Sequence, residues 1–229
     1  MSKKVDYKLN KIKKAVCLVS GGLDSTVVAG IAKKKKFTLY FLFINYGQKT
    51  VRKELNCFRK IVKYYNPEGV KIIEMKWIKD LGVSGLFDSK IQLNETNSLL
   101  EYVPFRNTLL LSAATAWAEV LGAASVFIGS SGSDHICPDN SPDYIKSFQN
   151  VIRNGTLLKK DIKLEAPLVK IDKRKTVSLG IKINTPFEFT WSCNNNTKVA
   201  CGHCSNCIPR IDAFRSLKKT DPIPYERNL

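Results

Sequence analysis

A chain of 229 residues, 44% hydrophobic and 25% charged, has the composition of a globular protein with one sizeable core, and its length favours one main domain. No apolar run approaches the ~20 residues of a membrane-spanning helix, the basic opening Met1 to Lys14 lacks a signal-peptide core, and the expected compartment is the cytoplasm, where seven cysteines argue against a disulfide framework. The net charge of +17 favours encounters with anions without saying which; its lysines fall in short runs such as Lys33 to Lys36, without the aromatic interleaving of a single-strand-binding platform, and read first as a solvated surface.

The first apolar run, Ala15 to Val19, predicts a buried strand, and Thr26 to Ala32 predicts a helix. Between them stands Ser20-Gly21-Gly22-Leu23-Asp24-Ser25. Two glycines at a strand-to-helix turn let successive backbone N–H groups face one concavity, Ser20, Ser25 and Thr26 add hydroxyls, and the helix N-terminus adds partial positive charge. Pyrophosphate is the natural occupant. A Walker loop would need four residues between its glycines and a Lys before Ser or Thr, and this loop has neither. The plain alternative is a glycine turn with a serine cap.

Phe37 to Ile44 predicts a second strand ending at Asn45-Tyr46-Gly47-Gln48, Lys49 to Tyr65 a helix, and Val70 to Trp77 a third strand. Lys79 to Tyr102 has few periodic signals and is expected to include a flexible cover. Asn107 to Leu121 predicts a helix stopped by Gly122, Ser125 to Ile128 a further buried strand, and Ser141 to Gly155 another helix. This alternation predicts an α/β fold with a doubly wound parallel sheet, whose ligands gather beyond the carboxyl ends of the strands. The expected division is an α/β domain over residues 1–185 and a small C-terminal segment with a helix over 186–229.

In that segment Cys193, Cys201, Cys204 and Cys207 have the spacing C-x7-C-x2-C-x2-C. Four thiolates suit Zn²⁺, and four protein ligands close its coordination sphere, so the predicted site is structural. An iron–sulfur cluster is the rival, and His203 is a substitute ligand that the complete cysteine set does not need. Cys17 and Cys57 read as small buried hydrophobes.

The six-residue loop resembles the SGGxDS signature of the PP-loop ATP pyrophosphatases, whose fold is adenine nucleotide alpha-hydrolase-like and Rossmann-like. In order along the chain it is followed by Tyr46-Gly47-Gln48, Tyr102-Val103-Pro104-Phe105-Arg106-Asn107, Pro138-Asp139, Thr190-Trp191-Ser192-Cys193 and Cys201-Gly202-His203-Cys204-Ser205-Asn206-Cys207. Over nearly the whole length this set resembles the 7-cyano-7-deazaguanine synthase (QueC) family. The resemblance implies ATP-dependent conversion of 7-carboxy-7-deazaguanine and ammonia into the nitrile used in queuosine and archaeosine pathways, through an adenylated acid and an adenylated amide.

It also implies roles. Ser20, Gly21, Gly22, Leu23, Asp24, Ser25 and Thr26 would hold the pyrophosphate portion of ATP, with Mg²⁺ shared between phosphates and Asp24; the competing role for Asp24 is a helix cap. Lys173 matches a family lysine at the start of a late helix and is the candidate phosphate-neutralising cation. Arg106 would clamp a carboxylate or phosphate, and Asn107 would read a purine-like edge or else cap its helix. Asp134 and Asp139 are candidate ring or proton contacts, with solvated loop carboxylates as the alternative. Tyr46 and Gln48 would line the adenosine or base pocket, or pack on the sheet. Asp24, Arg106 and Asp139 are the expected catalytic set.

Two departures from the family pattern stand out. Phe105 occupies a position where the family commonly has Gly, and His135-Ile136-Cys137-Pro138-Asp139-Asn140-Ser141 replaces the frequent Ser-Gly-Tyr-Pro-Asp-Cys-Arg. The altered loop should face the acceptor. Open alternatives are therefore a QueC-like ligase that passes the adenylated acid to a protein or other amine, a tRNA-modifying PP-loop enzyme, and a basic zinc-containing nucleic-acid module. The leading expectation is an enzyme of small molecules, without an obligate nucleic acid or membrane partner, with a symmetric dimer by analogy.

Overall fold

The computed structural model describes residues 13–132, 137–157 and 162–226. Five strands form one parallel sheet: β1 (Lys14–Leu18), β2 (Thr38–Asn45), β3 (Gly69–Glu74), β4 (Ser125–Phe127) and β5 (Lys163–Glu165), in the order β3-β2-β1-β4-β5. β1 is central, with Val16 in register with Tyr40 on one side and Val126 on the other. The chain winds outward from β1 in both directions, so the crevice at the carboxyl ends of β1 and β4 is the topological switch point of the fold.

The pleat of these strands separates two cores. Ala15, Cys17, Phe41, Phe43 and Phe127 face one layer, where they meet α1 (Leu23–Lys34), α2 (Val51–Tyr65), α5 (Lys173–Lys182) and α6 (Cys207–Ser216) through Val27, Phe58, Val177 and Phe214. Val16, Leu18, Leu42, Ile44 and Val126 face the other, against α3 (Arg106–Leu121) and α4 (Pro142–Gly155) through Leu111, Trp117, Phe148 and Ile152. Period-two alternation with apolar residues on both faces is what a sheet covered on both sides requires. Because α6 adds Ala213 and Phe214 to the first core, with Phe214 edge-on to Phe187 at 5.3 Å, the C-terminal segment is packed into the main body.

The expected elements appear with small boundary shifts. β3 stops at Glu74, and a 3₁₀ turn over Lys76–Asp80 replaces the end of the predicted strand. β3 is an edge strand, with Val70 and Ile72 exposed and Ile73 half-buried, so the run that predicts burial has no fully buried residue. The segment expected to include a flexible cover has its own small core of Ile78, Leu86, Leu93 and Val103 and a 3₁₀ turn over Glu95–Glu101, capped by Asn94. β5 carries too little apolar signal, Lys-Leu-Glu, to be read as a strand on its own. Among the described residues no helix is long and apolar enough to cross a membrane.

Candidate active site

At the switch point a cleft of about 460 Å³ opens above β1, β2 and β4. Its floor is the loop between β1 and α1. Gly21 has φ +82, a left-handed conformation that disfavours a side chain, and a Cβ there would stand 2.4 Å from the carbonyl oxygen of Glu54. Gly22 is the N-cap of α1 and supplies no side-chain cap, which leaves the first amides of the helix facing the cleft at Leu23, Asp24 and Ser25. Gly129, at the end of β4, allows that strand to approach α1: a Cβ would lie 2.9 Å from the Ser25 amide nitrogen. An anion placed here meets aligned N–H donors and the positive end of the α1 dipole.

The hydroxyls of this loop hold it together. Ser25 Oγ donates to Gly22 O at 3.1 Å and accepts from the Ser20 amide at 3.2 Å, while Thr26 Oγ1 donates to Gly22 O at 2.7 Å. Thr26 is fully buried and, with Gly21, lies behind the cleft surface instead of lining it; the expectation that its hydroxyl faces phosphate is corrected by its bond to the backbone. Asp24 lines the cleft, and its Oδ2 accepts from Lys173 Nζ, at the first turn of α5, at 2.6 Å. Its Oδ1 is buried with no hydrogen-bond partner among the described residues. A buried, anionic oxygen without a donor fits a hard divalent cation, so the donor set suits Mg²⁺ beside the loop.

The opposite wall comes from β2 and the head of α3. Arg106 Nη1 donates to Tyr46 Oη at 3.3 Å, and its guanidinium lies 5.5 Å from the centre of that ring. Burial pushes the Tyr46 phenol up, so it remains a neutral acceptor for the arginine. Gln48 is buried at the cleft, but both ends of its amide are engaged: Oε1 accepts from the Tyr46 amide at 3.0 Å and Nε2 donates to Glu54 Oε2 at 2.7 Å. Glu54, which sequence reasoning missed, also accepts from Thr50 Oγ1 at 2.5 Å. Burial pushes its carboxyl up, against the lowering effect of those two hydrogen bonds and of Arg106. Its legible signal was a carboxylate in the first turn of α2, four residues after Thr50.

Asp139 lies elsewhere than expected. Its Oδ2 accepts from the amides of Asn107 at 2.7 Å and Thr108 at 3.3 Å, and its Oδ1 accepts from Asn107 Nδ2 at 3.3 Å. It is buried, does not line the cleft, and caps α3, whose preceding residue Phe105 sits in the left-handed region with φ +58 and has no capping side chain. Asn107 does line the cleft, anchored by the same carboxylate. Asp134 lies outside the described residues. Cys137 and Asn140, from the altered loop, reach the cleft wall.

The four predicted metal ligands converge. Sγ atoms of Cys193, Cys201, Cys204 and Cys207 lie within 4.8 Å of one another, all buried. A tetrahedron with metal–sulfur bonds of ~2.3 Å has edges of about 3.8 Å, and Cys201 and Cys207 are 3.9 Å apart, so the cluster fits zinc. Hydrogen bonds among the sulfurs hold the Cys201 and Cys204 thiols below their ordinary value, Cys204 at about 7, and push Cys193 and Cys207 up. A bound cation removes that conflict by letting all four ionise. His203 donates to the Cys201 carbonyl through Nδ1 at 3.0 Å and is outside the cluster.

This cysteine segment is also a wall of the cleft, which sequence reasoning did not anticipate. Trp191 N–H donates to Gly21 O at 2.9 Å, and Ser192, Asn194, Ser205 and Arg210 line the cavity. Arg210, fully buried, forms a two-point pair with Asp221 at 2.7 and 2.9 Å. Asn195 joins the segment to the 79–102 cover through two bonds with the Leu93 backbone. No local pattern marks these partners.

Of the residues expected at the site, Ser20, Gly22, Leu23, Asp24, Ser25, Tyr46, Gln48, Arg106, Asn107 and Lys173 line one cleft. The chain is 40% identical to the 7-cyano-7-deazaguanine synthase of Methanospirillum hungatei JF-1 over 93% of its length and 99% of the relative. It is 37% identical to the protein of that name from Oceanobacillus iheyensis, over 93% and 98% of the two chains. Among solved structures, NMN synthetase from Francisella tularensis superposes with a TM-score of 0.49 at 13% identity, over 92% of this chain and 79% of that one. The model of the family described as queuosine biosynthesis protein QueC matches residues 14–218, and the chain belongs to that family.

Proposed function

We propose that the chain converts 7-carboxy-7-deazaguanine and ammonia into 7-cyano-7-deazaguanine at the expense of ATP. The observation that supports this most is the placing of the glycine-capped head of α1, the Asp24–Lys173 pair and Arg106 around one cleft. Its relatives from Methanospirillum hungatei and Oceanobacillus iheyensis are named for that synthase.

Ammonia cannot displace oxide from a carboxylate, so an oxygen of the acid first attacks the α-phosphorus of ATP. The α–β bridge breaks and pyrophosphate leaves. The amides of Leu23, Asp24 and Ser25 receive its growing charge, and Lys173 neutralises it from the other side. Mg²⁺ held by Asp24 would supply further charge stabilisation there. Arg106 holds the carboxylate or the transferred phosphate, with Tyr46 fixing the guanidinium. Ammonia adds to the acyl carbon, AMP leaves, and the added nitrogen loses a proton to give the amide. A second ATP adenylates the amide oxygen, with pyrophosphate and one N–H proton leaving, and loss of AMP and of the remaining N–H proton yields the nitrile. Asn107 reads the heterocycle from a position set by Asp139, and Asp134 remains the proposed additional contact.

By the same reading zinc is structural, the enzyme works in the cytoplasm on small molecules without an obligate nucleic acid, and it forms a symmetric dimer. Residues 1–185 supply ATP chemistry and 186–229 the zinc segment. Because Cys137 and Asn140 of the altered loop reach the cleft, a second reading has an amine on a protein or small molecule replace ammonia. Incubation with the acid, ammonium and Mg-ATP, read by mass spectrometry, is expected to show the nitrile with AMP and pyrophosphate. AMP without nitrile would favour the second reading; no cleavage of ATP with the acid present would remove both.

A further inference from the structure

We infer that Ser192 is a further donor to the anion held at the head of α1, contributed by the zinc segment across the cleft. The inference rests on the reading of that loop as an anion site and on no assumption about the acceptor.

Two of the loop's own hydroxyls are turned inward, Ser25 and Thr26 both donating to Gly22 O, and the third, Ser20 Oγ, accepts from the Gly22 amide at 3.2 Å and lies 3.1 Å from Ser25 Oγ. Ser192 follows Trp191, whose amide donates to Gly21 O at 2.9 Å and whose carbonyl oxygen would stand 3.6 Å from a Cβ on Gly22. Residues 191–192 therefore run beside the anion loop, and Ser192 lines the same cleft as Ser20, Gly22 and Asp24.

The direction of its proton follows from Arg210. That guanidinium is 1% exposed and has five N–H groups, all directed to acceptors. Two go to the Asp221 carboxylate, one goes to Phe187 O at 3.2 Å, and Nη1 serves Thr190 Oγ1 at 2.8 Å and Ser192 Oγ at 3.1 Å. Both hydroxyl oxygens are thus acceptors, and each must direct its own proton elsewhere. Thr190 donates to Phe187 O at 2.6 Å. Among the described residues no chain acceptor takes the Ser192 proton, so it is available to the cleft. Arg210 itself, saturated and paired with Asp221, is a scaffold that aims this hydroxyl and is not a clamp for the anion.

A hydroxyl bond to a charged oxygen is worth about tenfold or more in affinity. The test is calorimetric binding of Mg-pyrophosphate to the zinc-loaded full chain, with zinc content measured alongside. Ser192→Ala is expected to weaken binding about tenfold at unchanged zinc content, and Ser192→Thr, which restores the hydroxyl, to stay within about threefold of the parent. Equal affinity in Ser192→Ala and the parent overturns the role of Ser192 while leaving the anion loop in place. Loss of zinc together with affinity makes the effect structural and also overturns it, and absence of binding by the parent overturns the anion loop as well.

Discussion

The two walls of the cleft are built in opposite ways. The phosphate-loop wall is local: Ser20 to Thr26 close on themselves through hydrogen bonds between neighbours, and two glycines remove the side chains that would fill the space. The facing wall is assembled from distant segments, with Trp191 bonded to Gly21, Lys173 to Asp24, and Asp139 to the head of α3. A wall made of neighbours survives as a recognisable string of residues, whereas one made of distant partners depends on a metal, caps and buried pairs to keep its shape.

Removing the charge at the junction of the two walls should have the largest effect. Asp24→Ala takes away the Lys173 partner and the unpartnered Oδ1, and is expected to lower the rate of ATP cleavage by about 10²–10³-fold while zinc content and folding are kept. Single-turnover pyrophosphate release measures it; a rate within tenfold of the parent would assign Asp24 to capping alone.

Breaking the distant wall at its metal should act on stability first. Cys204→Ser, or chelation of zinc, is expected to cost several kcal/mol and to lower the midpoint of thermal unfolding, because the remaining sulfurs then stay crowded without a cation. An unchanged midpoint with zinc lost would mean that the cleft wall stands without it.

Asp139→Ala tests the cap. Exposing the α3 amides that Asp139 satisfies is expected to cost about 1–2 kcal/mol and to raise KM more than it lowers kcat, since Asn107 and Arg106 lose their anchor but stay present. Urea denaturation together with steady-state kinetics separates the two. A loss in kcat alone, with stability kept, would restore Asp139 to the catalytic set.

Glu54 gives a pH signature. Its folded carboxyl holds its proton above the ordinary value of 4.5, so the stability it contributes is full below pH 4.5 and is lost as pH rises through the folded value. Glu54→Gln should flatten that decline in urea titrations over the same interval; an unaltered profile would assign the decline to other groups.

The smallest effect belongs to Phe105, which is 60% exposed and in the left-handed region. Phe105→Gly should relieve about 1 kcal/mol of backbone strain, largely offset by the greater freedom of glycine in the unfolded chain, and leave stability within about 1 kcal/mol. A larger loss would show that the ring supports the entrance of the cleft.

What could be read from residues in order was whatever neighbours decide among themselves. The anion loop, the strand and helix periods, the parallel sheet and the four-cysteine cluster were legible because their signals lie within short windows: glycines at a turn, alternation on a strand, soft ligands at close spacing. The same reading placed Asp139 at the reacting atoms and Thr26 on phosphate, because spacing carries no information about which way a side chain turns once a helix end or a carbonyl competes for it. Only the tertiary structure decided that Asp139 caps α3, that Glu54 and Gln48 bind each other, and that the zinc segment lies against the anion loop. Those contacts join residues separated by 6 positions, by 32 and by more than a hundred, and they form because a buried donor or acceptor must find a partner wherever the fold brings one within reach.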